Sequence, residues 1–262
     1  MRLRFLGTGT SFGIPVIGCR CEVCTSPDPR DRRTRHGALL ESDDGERRIL
    51  IDTPPELRQQ LLLADITRID AVWFTHDHAD HTHGIDDLRV FSARMHERVR
   101  AFADPVAARS LRTKFPYIFD ESYMPPDGTT KPEVGLCVFD PARPLEVAGF
   151  TLVPLEVPHG DMQAYGFRAG ALGYITDAKL VPHAARAALD GVRVLVLNAL
   201  WFGHPHPTHL NVEEAVEVAR VIGAERTYLT HLTHRVRHRT LAEWLPAGIE
   251  PAYDGLTIHI PD

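Results

Sequence analysis

The sequence predicts an α/β fold in a single domain, and three observations carry that reading. Short apolar runs alternate with helical patterns along all 262 residues. No internal repeat or low-complexity linker divides the chain, and its length suits one large α/β domain over residues 1–262. Several apolar runs also end on a histidine or an aspartate, and strand ends are where α/β folds place their sites.

Taken in order, residues 3–6 read as a short strand entering a Gly-Thr-Gly-Thr turn. Residues 38–41 and 48–52 flank the polar turn Ser42-Asp43-Asp44-Gly45-Glu46, as the arms of a hairpin would. Pro54 and Pro55 open a helical pattern to residue 63, with Leu57, Leu61 and Leu62 at helical spacing. Residues 71–75 (Ala-Val-Trp-Phe-Thr) form a buried strand, and 85–96 and 106–114 look helical. Segments 151–157 and 165–168 read as strands, with 172–176 pairing beside the second. Residues 192–197 are a wholly apolar strand. Residues 212–222 form an amphipathic helix, with Asn211 as N-cap and Gly223 just past its end. Residues 227–230 are again a strand. Residues 115–134, with Pro116, Pro125, Pro126 and Pro132, are the one long irregular segment, the kind of loop that is functional or mobile. Its Tyr117, Phe119 and Tyr123 suit a lid, a dimer contact or ordinary packing equally.

Composition narrows the function. A formal charge of −6 argues against a non-specific nucleic-acid binder. No apolar run approaches the length of a membrane span, and residues 1–7 show no export leader. The expectation is a cytoplasmic protein with no membrane partner. Histidine numbers 15, in clusters at 76/78/81/83, 204/206/209 and 231/234, and such spacing is what a metal site needs.

His76-Asp77-His78-Ala79-Asp80-His81 directly follows an apolar strand. His-x-His sets two imidazoles on one side of an extended segment. Asp80 and His81 turn the other way and suit a second metal. Two ions roughly 3.5–4 Å apart can share a bridging hydroxide, a strong nucleophile at neutral pH. His159, Asp177 and His231 each come just past a further apolar strand, and the Asp177 carboxylate is placed to bridge both ions.

This order of residues, with Leu6-Gly7-Thr8-Gly9-Thr10 and Asp52 closing a strand, resembles the metallo-β-lactamase superfamily over nearly the whole chain. The resemblance implies a four-layer αβ/βα sandwich, two mixed sheets face to face with helices outside and metals at one edge. It implies one metal on His76, His78 and His159, another on Asp80, His81 and His231, and Asp177 between them. Zinc, manganese or iron all suit such ligands.

Cys19, Cys21 and Cys24 form a C-x-C-x₂-C loop within about residues 18–25. Three thiolates want a fourth ligand to close a tetrahedral structural zinc. His234, three residues after His231, is the candidate. Cys137 reads as a small buried hydrophobe. The triplet with the late Thr-His-x-x-His is similar to the cyclic-phosphate phosphodiesterases of the carbon–phosphorus lyase pathway. Those relatives have a general-acid histidine near His204–His209, so His209 is the first choice here and His206 the second. Asp80 would orient or deprotonate the nucleophile. The implied substrate is a small or cyclic phosphodiester, and a homodimer is common among such relatives. Ester, lactone or thioester hydrolysis on the same ligands stays open, as do tRNA 3′-end cleavage and a non-catalytic metal protein. His83 and Asp161 lie beside ligands and are candidates to support them. Arg32, Arg33, Arg35 and His36 read as a solvated basic turn, with phosphate binding as the alternative.

Overall fold

The structure is a computed structural model that describes residues 1–261. Six strands come from the first half: β1 (Arg2–Gly7), β2 (Gly37–Glu41), β3 (Arg48–Ile51), β4 (Ala71–Trp73), β5 (Val99–Ala103) and β6 (Val134–Val138). Eight follow: β7 (Leu145–Val147), β8 (Phe150–His159), β9 (Met162–Ala169), β10 (Leu172–Tyr174), β11 (Val194–Asn198), β12 (Arg226–Thr230), β13 (Ile249–Pro251) and β14 (Thr257–His259). Among the described residues they form two seven-stranded mixed sheets, ordered β14-β1-β2-β3-β4-β5-β6 and β13-β12-β11-β10-β9-β8-β7. Helices α1 (Leu57–Leu63), α2 (Ala79–Thr82), α3 (Arg89–Met95), α4 (Pro105–Lys114) and α5 (Pro116–Phe119) belong to the first half. Helices α6 (His183–Ala188), α7 (Val212–Ile222) and α8 (His238–Trp244) belong to the second.

The sheets face each other across one apolar core containing Phe5, Trp73, Phe139, Phe167 and Tyr174. Trp73 stacks on Phe139 with ring centres 4.5 Å apart, and Phe167 stacks on Tyr174 at 5.3 Å. A second cluster packs α1, α3 and α4 on the outside of the first sheet, and a third packs α6, α7 and α8 on the second. This is the four-layer αβ/βα sandwich.

Local chemistry accounts for most elements. β2 and β3 pair antiparallel with Glu41 opposite Arg48, as the hairpin reading required. Helix α7 carries a complete capping box: Asn211 accepts from the Glu214 amide, the Glu214 carboxylate accepts from the Asn211 amide, and Gly223 ends the helix at φ 74°. Asp104 caps α4 by accepting from the amides of Val106 and Ala107.

Several expectations need correction. The helix expected over 85–96 splits into a 3-10 turn at Ile85–Leu88 and then α3, and His96 at φ 52° stops it. The irregular stretch contains α5 and ends where β6 begins. Strand 151–157 runs on, so His159 is the last residue of β8. The basic turn is solvated only in part: Arg32 is exposed and Arg35 half-buried, but Arg33 and His36 are fully buried, because the chain dives beneath the loop at 231–238 before entering β2. Cys137 is only half-buried, since β6 is an edge strand. No helix among the described residues is long and apolar enough to cross a membrane.

Candidate metal centre

The ends of strands from both sheets converge at one edge of the sandwich. Past β3 comes Asp52, and past β4 come Thr75 and His76, with α2 carrying Asp80 and His81. From the other sheet, β8 delivers His159, the segment after β10 delivers Asp177, and the segment after β12 delivers His231. Asp52, Asp177 and His231 sit at φ 62°, 55° and 58°, in the left-handed region. Such strain costs side chains with a Cβ free energy and concentrates at functional sites.

His76, His78 and His159 meet first. His78 Nδ1 lies 3.1 Å from His76 Nε2 and 3.2 Å from His159 Nε2. Nitrogens bound at 2.0–2.1 Å to one tetrahedral ion sit about 3.3 Å apart, so the spacing fits a metal. The second group is Asp80, His81 and His231, whose ligand atoms lie within 4.8 Å of one another. Asp177 lies between the groups, with Oδ2 3.5 Å from His81 Nε2 and Oδ1 3.2 Å from His231 Nε2 and 3.9 Å from His159 Nε2. Each predicted ligand is therefore brought to this edge.

Neighbouring groups aim these rings. His81 Nδ1 donates to Asp52 Oδ2 at 2.7 Å, which leaves Nε2 buried, facing inward and without a hydrogen-bond partner. Asp52 is itself held by the Thr75 amide and hydroxyl, each at 2.8 Å. His159 Nδ1 donates to the Thr208 carbonyl at 3.1 Å, freeing its Nε2 for the centre. Such partners fix the tautomer and orientation of metal-binding histidines.

Protonation agrees with a cation site. Burial holds His76 well below the usual imidazole range, and holds His231 down at about 4, so both offer lone pairs. Burial also opposes charge on His81, but Asp177, Asp52 and Asp80 outweigh it and push it up to about 10. Burial would raise Asp177, yet His231 and His81 beside it keep its carboxyl well below the usual range. The pocket is thus organised around positive charge, which a divalent ion supplies in place of a proton.

The cysteine cluster assembles as expected. His234 Nδ1 lies 3.4, 3.5 and 3.6 Å from the sulfurs of Cys19, Cys21 and Cys24. A tetrahedral ion with bonds of 2.3 Å to sulfur and 2.1 Å to nitrogen gives an edge of about 3.6 Å. Hydrogen bonding from the Cys24 amide draws the Cys21 thiol down to about 6, while burial pushes Cys24 up to about 11.

His209 reaches the centre, with Nε2 2.9 Å from Asp177 Oδ1. His206 stands behind it, Nδ1 to Nδ1 at 3.3 Å, and does not touch the ligands. His83 is exposed with its ring edge-on to Phe115, and Asp161 is exposed at the β8–β9 turn, so neither holds a ligand in place. Tyr117 packs and donates to Asp86 at 2.8 Å, while Tyr123 lies against Lys131. The sequence reading assigned His36 to a solvated basic turn, but its Nε2 is 2.7 Å from the Tyr174 hydroxyl and its ring lies against His81 and His231. The same reading missed Ser110 and Lys114, which clamp Asp77 from α4.

Comparison with known proteins agrees with this fold. The beta-lactamase superfamily domain profile matches residues 47–232. A protein of Porphyromonas gingivalis named octanoyltransferase is 38% identical over 98% of this chain, and the chain spans 51% of that relative's length. The crystal structure of a new diphosphatase from the PhnP family superposes with a TM-score of 0.90 and 37% identity, covering 99% of this chain and 98% of that one. Zn(2+)-bound PqqB from Methylobacterium extorquens shares the fold, with a TM-score of 0.81 at 21% identity over 99% and 100% of the two chains. The matching profile and the two facing sheets lead to one assignment: this chain belongs to the beta-lactamase superfamily, with the metallo-β-lactamase fold and, at one edge, residues that could hold metal.

Proposed function

We propose that this chain is a metal-dependent phosphodiesterase acting on small or cyclic phosphodiesters. One observation supports it above the others: His209 Nε2 lies 2.9 Å from Asp177 Oδ1, at the junction of the two ligand groups. His76, His78 and His159 would hold one divalent ion, Asp80, His81 and His231 a second, and Asp177 would touch both. Zinc is the first expectation, with manganese or iron as alternatives. When bound, such ions lower the pKa of water and neutralise charge building on phosphoryl oxygens.

The chain's own groups supply the rest. Asp80, with its side chain only 11% exposed and Oδ2 3.5 Å from His81 Nε2, orients the attacking water. His209 donates its Nε2 proton to the departing alkoxide, the role of a general acid placed beside the reacting atoms. His206 borders His209 on the solvent side and can pass it a fresh proton. Cys19, Cys21, Cys24 and His234 would hold a structural zinc, tying the N-terminal loop to the loop after β12. The diphosphatase relative favours reaction at phosphorus over reaction at carbonyl carbon.

The test is a parallel assay of metal-loaded protein on bis(p-nitrophenyl) phosphate, cyclic phosphates, diphosphate esters, lactones and thioesters. Turnover of the phosphorus substrates is expected. Hydrolysis of thioesters or lactones alone would replace this reading with the carbonyl one.

A further inference from the structure

His36 directly precedes β2, and Tyr174 is the last residue of β10, so the two stand on opposite sheets. Both side chains are fully buried. Burial pushes the Tyr174 hydroxyl well above its ordinary range, so it keeps its proton. Burial also holds His36 well below the usual imidazole range, and His81 and His231 add to the effect. A protonated hydroxyl beside a neutral imidazole fixes the direction of their bond: the Tyr174 hydroxyl donates to His36 Nε2 at 2.7 Å. Phe167 holds the Tyr174 ring in turn, stacked at 5.3 Å and parallel to within 7°. The tilt of the His36 ring is thereby set from the opposite sheet.

The His36 proton then sits on Nδ1, and that nitrogen is buried without a hydrogen-bond partner among the described residues. An unpaired imidazole nitrogen in the interior costs free energy that an apolar side chain of similar size would not. A histidine kept at such a position calls for a task beyond filling space.

Its neighbours supply one. The His36 ring lies 5.4 Å from that of His81, tilted by 35°, and 5.8 Å from that of His231, edge-on at 62°. Both neighbours belong to the Asp80, His81 and His231 group. Among the described residues no ring contact joins His36 to His76, His78 or His159. His81 Nδ1 is tied to Asp52, whereas His231 Nδ1 is buried with no hydrogen-bond partner. Packing must therefore limit the swing of the His231 ring, and His36 shares that task with His209, which stacks on it at 5.0 Å.

Resting on the two-ion reading above, we infer that His36, pinned by Tyr174, is a positioning residue for one of the two metals: it sets the rings of His81 and His231, and so the geometry of the ion they share with Asp80. A ligand ring free to swing binds more weakly even with its nitrogen intact, and supports of this kind are worth about 10–100-fold in metal affinity. The ion on His76, His78 and His159 has other supports, among them the Thr208 carbonyl on His159, and gains nothing from His36.

The experiment is chelator competition on the zinc-loaded full chain, with bound ions counted by mass spectrometry. Beyond the cysteine site, the parent should release two ions. His36→Leu should weaken one of them at least tenfold and leave the other within twofold. His36→Gln, whose amide oxygen can accept from Tyr174, should recover most of that loss. Tyr174→Phe removes the pin at nearly constant volume and should weaken the same ion by a smaller factor, so the test survives if His36→Leu does not fold. In a His231→Ala background, where that ion is already compromised, His36→Leu should leave the remaining one unchanged. A merely structural role would loosen both ions alike. Equal weakening of the two, or no change at either in His36→Leu and Tyr174→Phe, would overturn the positioning role while leaving the two-ion reading intact. A parent that holds a single ion beyond the cysteine site would overturn both together.

Discussion

Replacing Arg33 by methionine should destabilise the protein by about 3–4 kcal/mol, although Arg33 touches no predicted metal ligand. Its side chain and that of Asp31 are both fully buried. The guanidinium donates to the carbonyls of Thr233 at 3.1 Å and Val236 at 2.9 Å, and lies 3.4 Å from Asp31 Oδ1. Arg33→Met leaves a buried carboxylate without its cation and two carbonyls without donors. Breaking a buried pair from one side costs about 3–5 kcal/mol. The lower part of that range applies, because Asp31 keeps the Ser26 hydroxyl and the His238 amide, each at 2.7 Å. For a domain of this size the loss corresponds to a fall in Tm of about 6–16 °C. Arg33→Met/Asp31→Asn removes the stranded charge while keeping an acceptor for Ser26, so it should recover about half of the loss. Urea denaturation at fixed zinc concentration measures both. A single variant less than 1 kcal/mol below the parent, or a double variant no better than the single one, would show that the buried pair does not hold the 231–238 loop.

Three further outcomes follow from the site. His209→Ala should lower kcat by about 10²–10⁴-fold with little change in KM, and by far less on a p-nitrophenyl ester, whose leaving group needs no proton; equal losses on both substrates would remove His209 as the acid. Asp52→Asn should weaken metal binding about 10–100-fold, because it loosens the hold on the His81 ring, and chelator competition reads the change directly. His238 is buried and held down at about 4 by burial first and then by Arg30 and Arg33. Its stabilising contribution is present above its unfolded value of 6.5 and lost as pH falls toward 4, a loss of about 2 kcal/mol by pH 5. His238→Gln should flatten the acid limb of the stability curve relative to the parent, and a parallel limb in the variant would refute the assignment.

What the sequence disclosed followed from local chemistry. The α7 caps were readable because Asn211 and Gly223 each act on backbone groups within a few residues of themselves. The candidate ligands were readable as a set because histidine and aspartate directly after apolar strands are costly unless they have a task. Arg33 and His36 were not readable: nothing in a basic tetrad says that two members will be covered by a loop 200 residues away. β7 and β13 were missed because three residues on a sheet edge carry no periodicity. The sequence already ranked His209 ahead of His206, and in the structure the Asp177 contact separates them.

The distribution of ligands between the two sheets has a mechanical consequence. His76, His78, Asp80 and His81 belong to one half of the sandwich, and His159, Asp177 and His231 to the other. A cation held by His76, His78 and His159 would bond both halves at once, as a rivet joins two plates. Its binding energy would enter the cohesion of the molecule as well as its chemistry, adding about 2.7 kcal/mol at a hundredfold excess over Kd. Starved of metal, such a sandwich should loosen first along the seam where its catalytic groups meet.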